Sequence, residues 1–217
     1  MGERDLSLWK QALGAVPDWV QERVDLTSLV LAETGLTEIP DGIGALSNLR
    51  MLDLGHNRIA ALPDSLGRLE GLTDFLYLHD NLLTALPASL ARLSRLRYLN
   101  LSQNAFETLP EAIAGMLGLI ELRVSDNRLD ELPEWIGKLT HLRELHLRNN
   151  GLTTLPNAIA AMAELRQIDL RGNPVSHLPD RLLALPRLEK LDLRWTPEFE
   201  TPPWFAALEA RGCVIYR

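Results

Sequence analysis

The apolar positions of this chain recur with a period of 23 residues over nearly its whole length. In one copy, residues 142–164, leucine stands at places one, four, six, eleven and fourteen, and proline stands at place fifteen. The leucines at places four and six alternate with polar residues, as in a β-strand that buries one face. Ile159 and Met162, at places eighteen and twenty-one, are three residues apart and predict a helical turn. Each copy is therefore predicted to contain one strand and one helical turn.

Eight full copies follow one another in register. They start at Leu26, Leu49, Thr73, Leu96, Leu119, Leu142, Leu165 and Leu188. In each copy a proline at place fifteen is predicted to begin the helical turn, where its missing N–H has no cost. A single copy cannot bury its own apolar face, so the copies must stack on one another.

Asparagine occupies place nine in six of the copies, where the chain turns away from the strand. These residues are Asn57, Asn81, Asn104, Asn127, Asn150 and Asn173. A side-chain amide can both donate to and accept from backbone groups that would otherwise be buried without partners. The asparagine column is therefore interpreted as a structural ladder rather than a binding site.

Decayed copies are predicted at both ends of a single domain. Residues 1–25 retain the apolar pattern of a copy that starts at Glu3, and residues 26–210 hold the eight full copies. Residues 211–217 begin a further copy, in which Val214 and Tyr216 are predicted to take the two inward strand places. Both ends are thus expected to cap the stack.

One interval departs from the period. Asn57 and Asn81 are 24 residues apart, and the extra residue lies between Leu69 and Leu76, before Phe75. An extra residue beside a strand predicts a bulge or a looser turn. Either the insertion is a harmless loop change, or it shapes a nearby binding site.

The pattern LxxLxLxxNxLxxLPxxIxxLxx resembles that of the leucine-rich repeat family, in its 23-residue form with the Leu-Pro dipeptide. This subtype is similar to intracellular Ras-group and bacterial cytosolic members. The resemblance implies an α/β fold, a right-handed horseshoe solenoid with a parallel sheet on the concave face and short helices or 3-10 turns on the convex face. It also implies a protein that binds protein partners on the concave face and has no enzymatic activity.

Aromatic residues cluster on the outward strand places of neighbouring copies. They are Met51, Phe75, Tyr77 and Tyr98, with Asp53, His79 and Asn100 beside them. Exposed Tyr and Phe are typical of the residues that dominate protein interfaces. The alternative is cross-strand aromatic packing that only stabilises the sheet. We expect partner binding to centre on this cluster.

A basic column occupies place seven of the later copies. It consists of Arg148, Arg171 and Arg194, with Arg123 and His146 nearby. These residues could capture an acidic partner. Carboxylates at adjacent places favour a self-neutralising charge lattice instead. Trp195, at place eight of the last full copy, either covers the end of the core or marks a partner contact.

Composition narrows the possible partners. The net charge of −7 argues against nucleic acid and against an anionic membrane surface. A single cysteine favours a reducing compartment, and we expect a cytoplasmic monomer without a cofactor. A secreted bacterial effector or a recognition module for a kinase or GTPase remain alternatives. A metal-dependent enzyme using His56 and His79 is disfavoured, since no catalytic or metal-binding motif is present.

Overall fold

A computed structural model describes residues 4–217 of the protein. Ten three-residue strands form one parallel sheet in chain order. The strands are β1 Asp5–Ser7, β2 Ser28–Val30, β3 Met51–Asp53, β4 Phe75–Tyr77, β5 Tyr98–Asn100, β6 Glu121–Arg123, β7 Glu144–His146, β8 Gln167–Asp169, β9 Lys190–Asp192 and β10 Val214–Tyr216. The predicted leucine-rich repeat solenoid is confirmed.

Short helices connect the strands on the opposite side of the core. Helix α1, Asp18–Gln21, follows β1, and helix α2, Phe205–Ala210, precedes β10. The seven intervening connections hold 3-10 helices at Asp41–Ala45, Asp64–Arg68, Ala88–Arg92, Glu111–Gly115, Glu134–Lys138, Asn157–Ala161 and Asp180–Ala184. None of the helices among the described residues is long and apolar enough to cross a membrane.

Every helix except α2 has a proline as its N-cap, one position before the helix rather than inside it. Pro40, with φ −72° and ψ 152°, is the N-cap of the first 3-10 helix, and its carbonyl accepts from Ile43 N at 3.1 Å. Asp41 then takes the first helical position, where the helix dipole favours a carboxylate. The fixed φ of proline still sets the chain for the turn, although the expected position was wrong by one residue.

The strands are in register at matching places of successive copies. Ser28 pairs with Met51, and the central Leu29 pairs with Leu52. In β2 to β9 the central residue is buried and the first residue is not. The core is a continuous aliphatic column, in which Phe106 and Phe205 are the largest fully buried side chains among the described residues.

Each place-nine asparagine joins two neighbouring copies. Asn127 Nδ2 lies 3.0 Å from Leu101 O in the preceding copy and 3.2 Å from Val124 O in its own. Its Oδ1 accepts from Phe106 N at 3.1 Å. Where threonine replaces asparagine, Thr34 Oγ1 donates to Leu31 O at 2.6 Å, which retains only part of this pattern.

The extra residue forms a local bulge before β4. Leu72, rather than the expected Thr73, takes the buried first place of the third copy. The carbonyls of Thr73 and Asp74 then accept separately, from Arg97 N and Tyr98 N, at 3.1 Å each. In the regular copies one carbonyl at this point accepts both bonds, so two residues here occupy the position of one.

The register of the C-terminal strand corrects the sequence prediction. Ile215, not Val214 or Tyr216, pairs with the central Leu191 of β9. Val214 and Tyr216 are therefore exposed, at 51% and 43%. The connection through α2 makes this interval 24 residues, and a slip of one residue reverses the faces of a strand.

The N-terminal strand keeps the expected register. Asp5 pairs with Ser28, and Leu6 pairs with Leu29. Val16 and Val20 are buried in the core as the decayed pattern predicts. The predicted start of this copy, Glu3, lies outside the described residues.

Candidate partner-binding face

The chain leaves each strand through a residue in the left-handed region. Place eight has a positive φ in every copy, at Lys10, Glu33, His56, Asp80, Gln103, Asp126, Asn149, Gly172 and Trp195. Polar residues and glycine tolerate this region, whereas a large aromatic residue rarely adopts it. Trp195, with φ 64°, is 64% exposed. It therefore does not cover the end of the core, and that interpretation is wrong.

Four side chains form what we call the aromatic patch: Met51, Phe75, Tyr77 and Tyr98. The Phe75 ring lies 5.8 Å from Tyr77 and 5.5 Å from Tyr98, between ring centroids. The two tyrosine rings are 5.1 Å apart. Phe75 is nevertheless 42% exposed, so the rings contact one another without being covered. The residues that the sequence grouped together are adjacent in space.

An open cavity of about 400 Å³ adjoins the aromatic patch. It is lined by Arg50, Asp74, Phe75, Arg97, Tyr98, Ile120 and Glu121. Asp74 belongs to the bulge, and its carboxylate pairs with Arg50 Nη2 at 3.1 Å. The insertion before β4 therefore forms part of the wall of this cavity. The sequence located the insertion but could not show the cavity.

The patch is uncharged at neutral pH. Burial raises the pKa of Tyr98 to about 12. Burial, and then the nearby Asp53 carboxylate, also raise the pKa of Tyr77. Both phenols stay protonated and can donate a hydrogen bond at the edge of an apolar surface.

Two of the polar candidates beside the patch support the backbone. Asp53 Oδ1 accepts from Gly55 N at 2.9 Å, and Asn100 Oδ1 accepts from Ser102 N at 3.0 Å. Both bonds span two residues and fix the exit from the strand. These two side chains hold the face in shape, and their remaining polar atoms can still contact a partner.

His79 borders the patch and forms a pair with His56. The Tyr77 and His79 rings meet edge to face at 6.0 Å, and the two histidine Nε2 atoms are 3.1 Å apart. His56 Nδ1 also lies 2.7 Å from Asp80 Oδ2. Only one hydrogen can occupy the Nε2–Nε2 contact, so protonating both rings fully must break it. Burial, and then the charge of His56, lower the pKa of His79.

We expect an NMR titration to place the His79 midpoint below 6.5. His56→Gln should raise it, because the repulsion by His56 disappears, yet leave it below 6.5, because burial is the larger cause. A depressed pKa means that protonation favours the unfolded chain, so melting temperature should fall as pH drops below 6.5. Asp53 and Asp80 oppose the depression without reversing it. A wild-type midpoint at or above 6.5 would contradict this account.

The basic column is largely neutralised within individual strands. Arg171 binds Asp169 through two hydrogen bonds of 2.8 and 2.5 Å, and Arg194 binds Asp192 through two of 2.9 and 2.7 Å. Places five and seven lie on the same face of a strand, which brings each pair together. Asp192 is buried, and although burial alone would raise its pKa, the hydrogen bonds from Arg194 and the charges of Arg194 and Arg171 together lower it. These two arginines have little capacity left for a ligand.

A second charge cluster lies on β6 and β7. Arg123 Nε donates to Glu121 Oε1 at 2.5 Å, and His146 Nε2 lies 3.2 Å from Glu144 Oε2. Glu121, Glu144 and His146 form the one group of three potential metal ligands found between residues 4 and 217. Sequence reasoning considered a different histidine pair and missed this group. Arg123 already pairs with Glu121, and His146 already contacts Glu144, so these side chains form a network with one another.

Arg148 differs from its column neighbours. Within the described part of the chain no carboxylate lies within 4 Å of its guanidinium, and its Nε is buried without a hydrogen-bond partner. Its guanidinium carbon is 5.7 Å from the centre of the exposed Trp195 ring, two strands away. The three arginines share place seven of their copies, and the structure separates this one from the other two. The distinguishing signal is place five of its copy, where His146 stands instead of aspartate.

Comparisons with known proteins agree with this architecture. A model of the leucine-rich repeat region matches residues 87–198, and a leucine rich repeat model matches residues 25–75. The first match covers more than half of the 217 residues, so the chain belongs to the leucine-rich repeat family. A search of curated proteins finds no match. Proteins of this family are typically binding modules.

Solved structures with the same fold include bacterial and plant proteins. A Leptospira interrogans leucine-rich repeat protein is 30% identical, with a TM-score of 0.87 over 92% of this chain and 50% of its own. The ectodomain of the Arabidopsis thaliana receptor kinase GASSHO1/SCHENGEN3, in complex with CASPARIAN STRIP INTEGRITY FACTOR 2, is 31% identical. The match has a TM-score of 0.77 and covers 87% of this chain and 24% of the ectodomain chain. The plant peptide hormone receptor RGFR1, in complex with RGF2, is 28% identical. The match has a TM-score of 0.75 and covers 90% of this chain and 34% of the receptor chain. This chain spans half or less of each.

Proposed function

We propose that the protein binds a protein partner on the exposed face of its sheet, with the aromatic patch at the centre of the contact. The observation that carries the proposal is the cluster of three touching, partly exposed rings beside an open cavity. Aromatic side chains next to a pocket are typical of residues that dominate binding energy. The structures of the two plant receptors described above, in complex with their ligands, support a protein or peptide as the occupant.

Packing within the sheet does not fully explain the patch. Cross-strand ring contacts do stabilise neighbouring strands. Phe75 remains 42% exposed although its ring packs against both tyrosines, so the ring contacts do not cover it. The bulge at Thr73 and Asp74 also interrupts the repeat beside these rings and shapes the adjacent cavity. Both features support binding over packing alone.

The triple variant Phe75→Ala/Tyr77→Ala/Tyr98→Ala is expected to lose partner binding. A hot-spot side chain contributes about 2 kcal/mol, or roughly thirtyfold in affinity, so the combined loss should exceed a hundredfold. Crosslinking with quantitative mass spectrometry would identify partners of the wild-type protein. Biolayer interferometry on the purified partner would then measure affinity for both proteins.

A matched control changes the same strand place on other copies. Ser28→Ala/Gln167→Ala/Lys190→Ala alters place three of β2, β8 and β9 and should keep the partner. Circular dichroism must show that both triple variants remain folded. If the aromatic variant is folded and retains the same partner at unchanged affinity, the proposed site is wrong.

A further inference from the structure

Arg148 lines a second cavity, which lies beside the aromatic patch. This cavity has a volume of about 260 Å³ and spans the strand exits from β4 to β8. His79 and Asn100 line it, and both also border the patch. Ser102 and Ser125 supply further hydroxyl groups to its wall. The second cavity therefore borders the aromatic patch on the side of the strand exits.

The charges in this cavity leave one cation available. Arg171 is occupied by Asp169, and Arg123 is occupied by Glu121. Asp126, on the rim, accepts from Asn149 Nδ2 at 2.6 Å rather than from Arg148. Arg148 retains its charge and a buried Nε–H without a partner. An unpaired buried donor is uncommon in native proteins and indicates a missing acceptor.

A carboxylate fits this arrangement better than a phosphate does. The two parallel N–H groups of a guanidinium match the two oxygens of a carboxylate. A phosphate dianion calls for more than one free cation, and the nearby carboxylates of Asp126 and Asp169 would repel its second charge. The single available guanidinium therefore matches a monoanion.

We propose that Arg148 receives an Asp or Glu side chain of the partner segment whose apolar residue occupies the aromatic patch. This inference rests on the proposed function. Arg148 lies two or three strand spacings from Phe75 and Tyr98 and four residues further along its strand, so the total separation is about 16–20 Å. An extended segment covers that distance in about five or six residues. The acidic residue therefore follows or precedes the apolar anchor at that spacing.

Trp195 indicates that the segment continues past Arg148. Its exposed ring lies 5.7 Å from the Arg148 guanidinium and two strands further along the sheet. The left-handed backbone at this residue does not favour a large side chain, and breaks of a local rule concentrate at functional positions. A segment that continues from Arg148 across the Trp195 ring carries its carboxylate on a side chain and not at the chain terminus.

A bead library of random ten-residue peptides, acetylated and C-terminally amidated, tests the proposal. Wild-type binders should be enriched in Asp or Glu about five or six residues from Phe, Leu, Met or Trp. Arg148→Gln should abolish the acidic preference but keep the apolar one. Arg143→Gln, which removes an exposed arginine of the same copy, should retain both. For a selected peptide, replacing Asp by Asn should weaken binding about ten- to a hundredfold with wild type and hardly at all with Arg148→Gln.

A lysine variant and a library with free C-termini distinguish the ways in which the proposal could fail. Arg148→Lys keeps the positive charge but lacks the two parallel N–H donors of a guanidinium. This variant should retain part of the acidic preference that Arg148→Gln loses, provided that circular dichroism shows a folded protein. If an acidic preference appears only when the library has free C-termini, the ligand is a terminal carboxylate and the proposal is wrong. If peptides bind the patch without acidic enrichment, the Arg148 inference fails while the proposed function stands. If the aromatic triple variant selects the same peptides as wild type, the proposed function fails as well.

Discussion

Asn150→Ala is expected to lower the free energy of unfolding by about 3 kcal/mol. The buried amide accepts from Leu129 N at 3.0 Å and donates to Val124 O at 3.0 Å and Leu147 O at 2.9 Å. A fourth contact joins Nδ2 to Arg148 O at 3.3 Å. Alanine leaves these backbone groups without partners at the junction of two copies, where water has little access. Urea unfolding followed by circular dichroism measures the loss.

An exposed asparagine provides the matched control. Asn48 Nδ2 donates only to Val24 O, at 2.8 Å, on the solvent side of the turns. Water can replace that bond, so Asn48→Ala should cost less than about 1 kcal/mol. Equal losses for the two variants would show that the place-nine ladder has no special role in stability.

The features of this fold that the sequence predicts correctly are those that follow from the 23-residue period. An alternation of two at places four and six allows only one face to be buried, so Leu145 and Leu147 had to point inward. The C-terminal strand was assigned to the wrong face because the period was extended through α2. There the six-residue helix Phe205–Ala210 replaces the usual 3-10 turn and shifts Ile215 into the core position. Val214 and Ile215 are both apolar, so their hydrophobicity alone does not show which of the two faces the core.

The sequence predicts only those neighbours in the candidate site that follow from strand pairing, in which residues at the same place of successive copies lie side by side. Columns placed Phe75, Tyr77 and Tyr98 together, because side chains at matching places of a parallel sheet are adjacent. Ion pairing depends instead on rotamers and on the neighbour two residues away. Arg171 has an aspartate at that position, whereas Arg148 has His146, which is turned toward Glu144. The sequence thus shows that Arg148 lacks an aspartate two residues away, and the structure adds that no other carboxylate of the described residues replaces it.

Phe106→Ala is expected to have the largest effect on stability, about 4 kcal/mol. The ring is fully buried at place eleven, the place that Leu83 and Leu129 occupy in the adjacent copies. Its removal leaves a cavity that rigid turns on both sides cannot close. Stability in a repeat array is close to a sum of copy and interface terms, so a defect in the middle weakens the coupling between the two ends. Thermal unfolding should therefore broaden or split into two transitions, measured by calorimetry.

Phe106→Leu separates the loss of volume from the loss of an aromatic ring. Leucine is the residue that the neighbouring copies carry at this place, so the substitution should cost about 1 kcal/mol and keep a single transition. Because the ring of Phe106 lies in the core and not on the exposed face, this variant should also leave binding at the aromatic patch unchanged. A single sharp transition for Phe106→Ala, at a melting temperature close to that of Phe106→Leu, would show that the copies relax independently around the defect. The stability of the array would then depend on the asparagine ladder and the sheet more than on the continuity of its core.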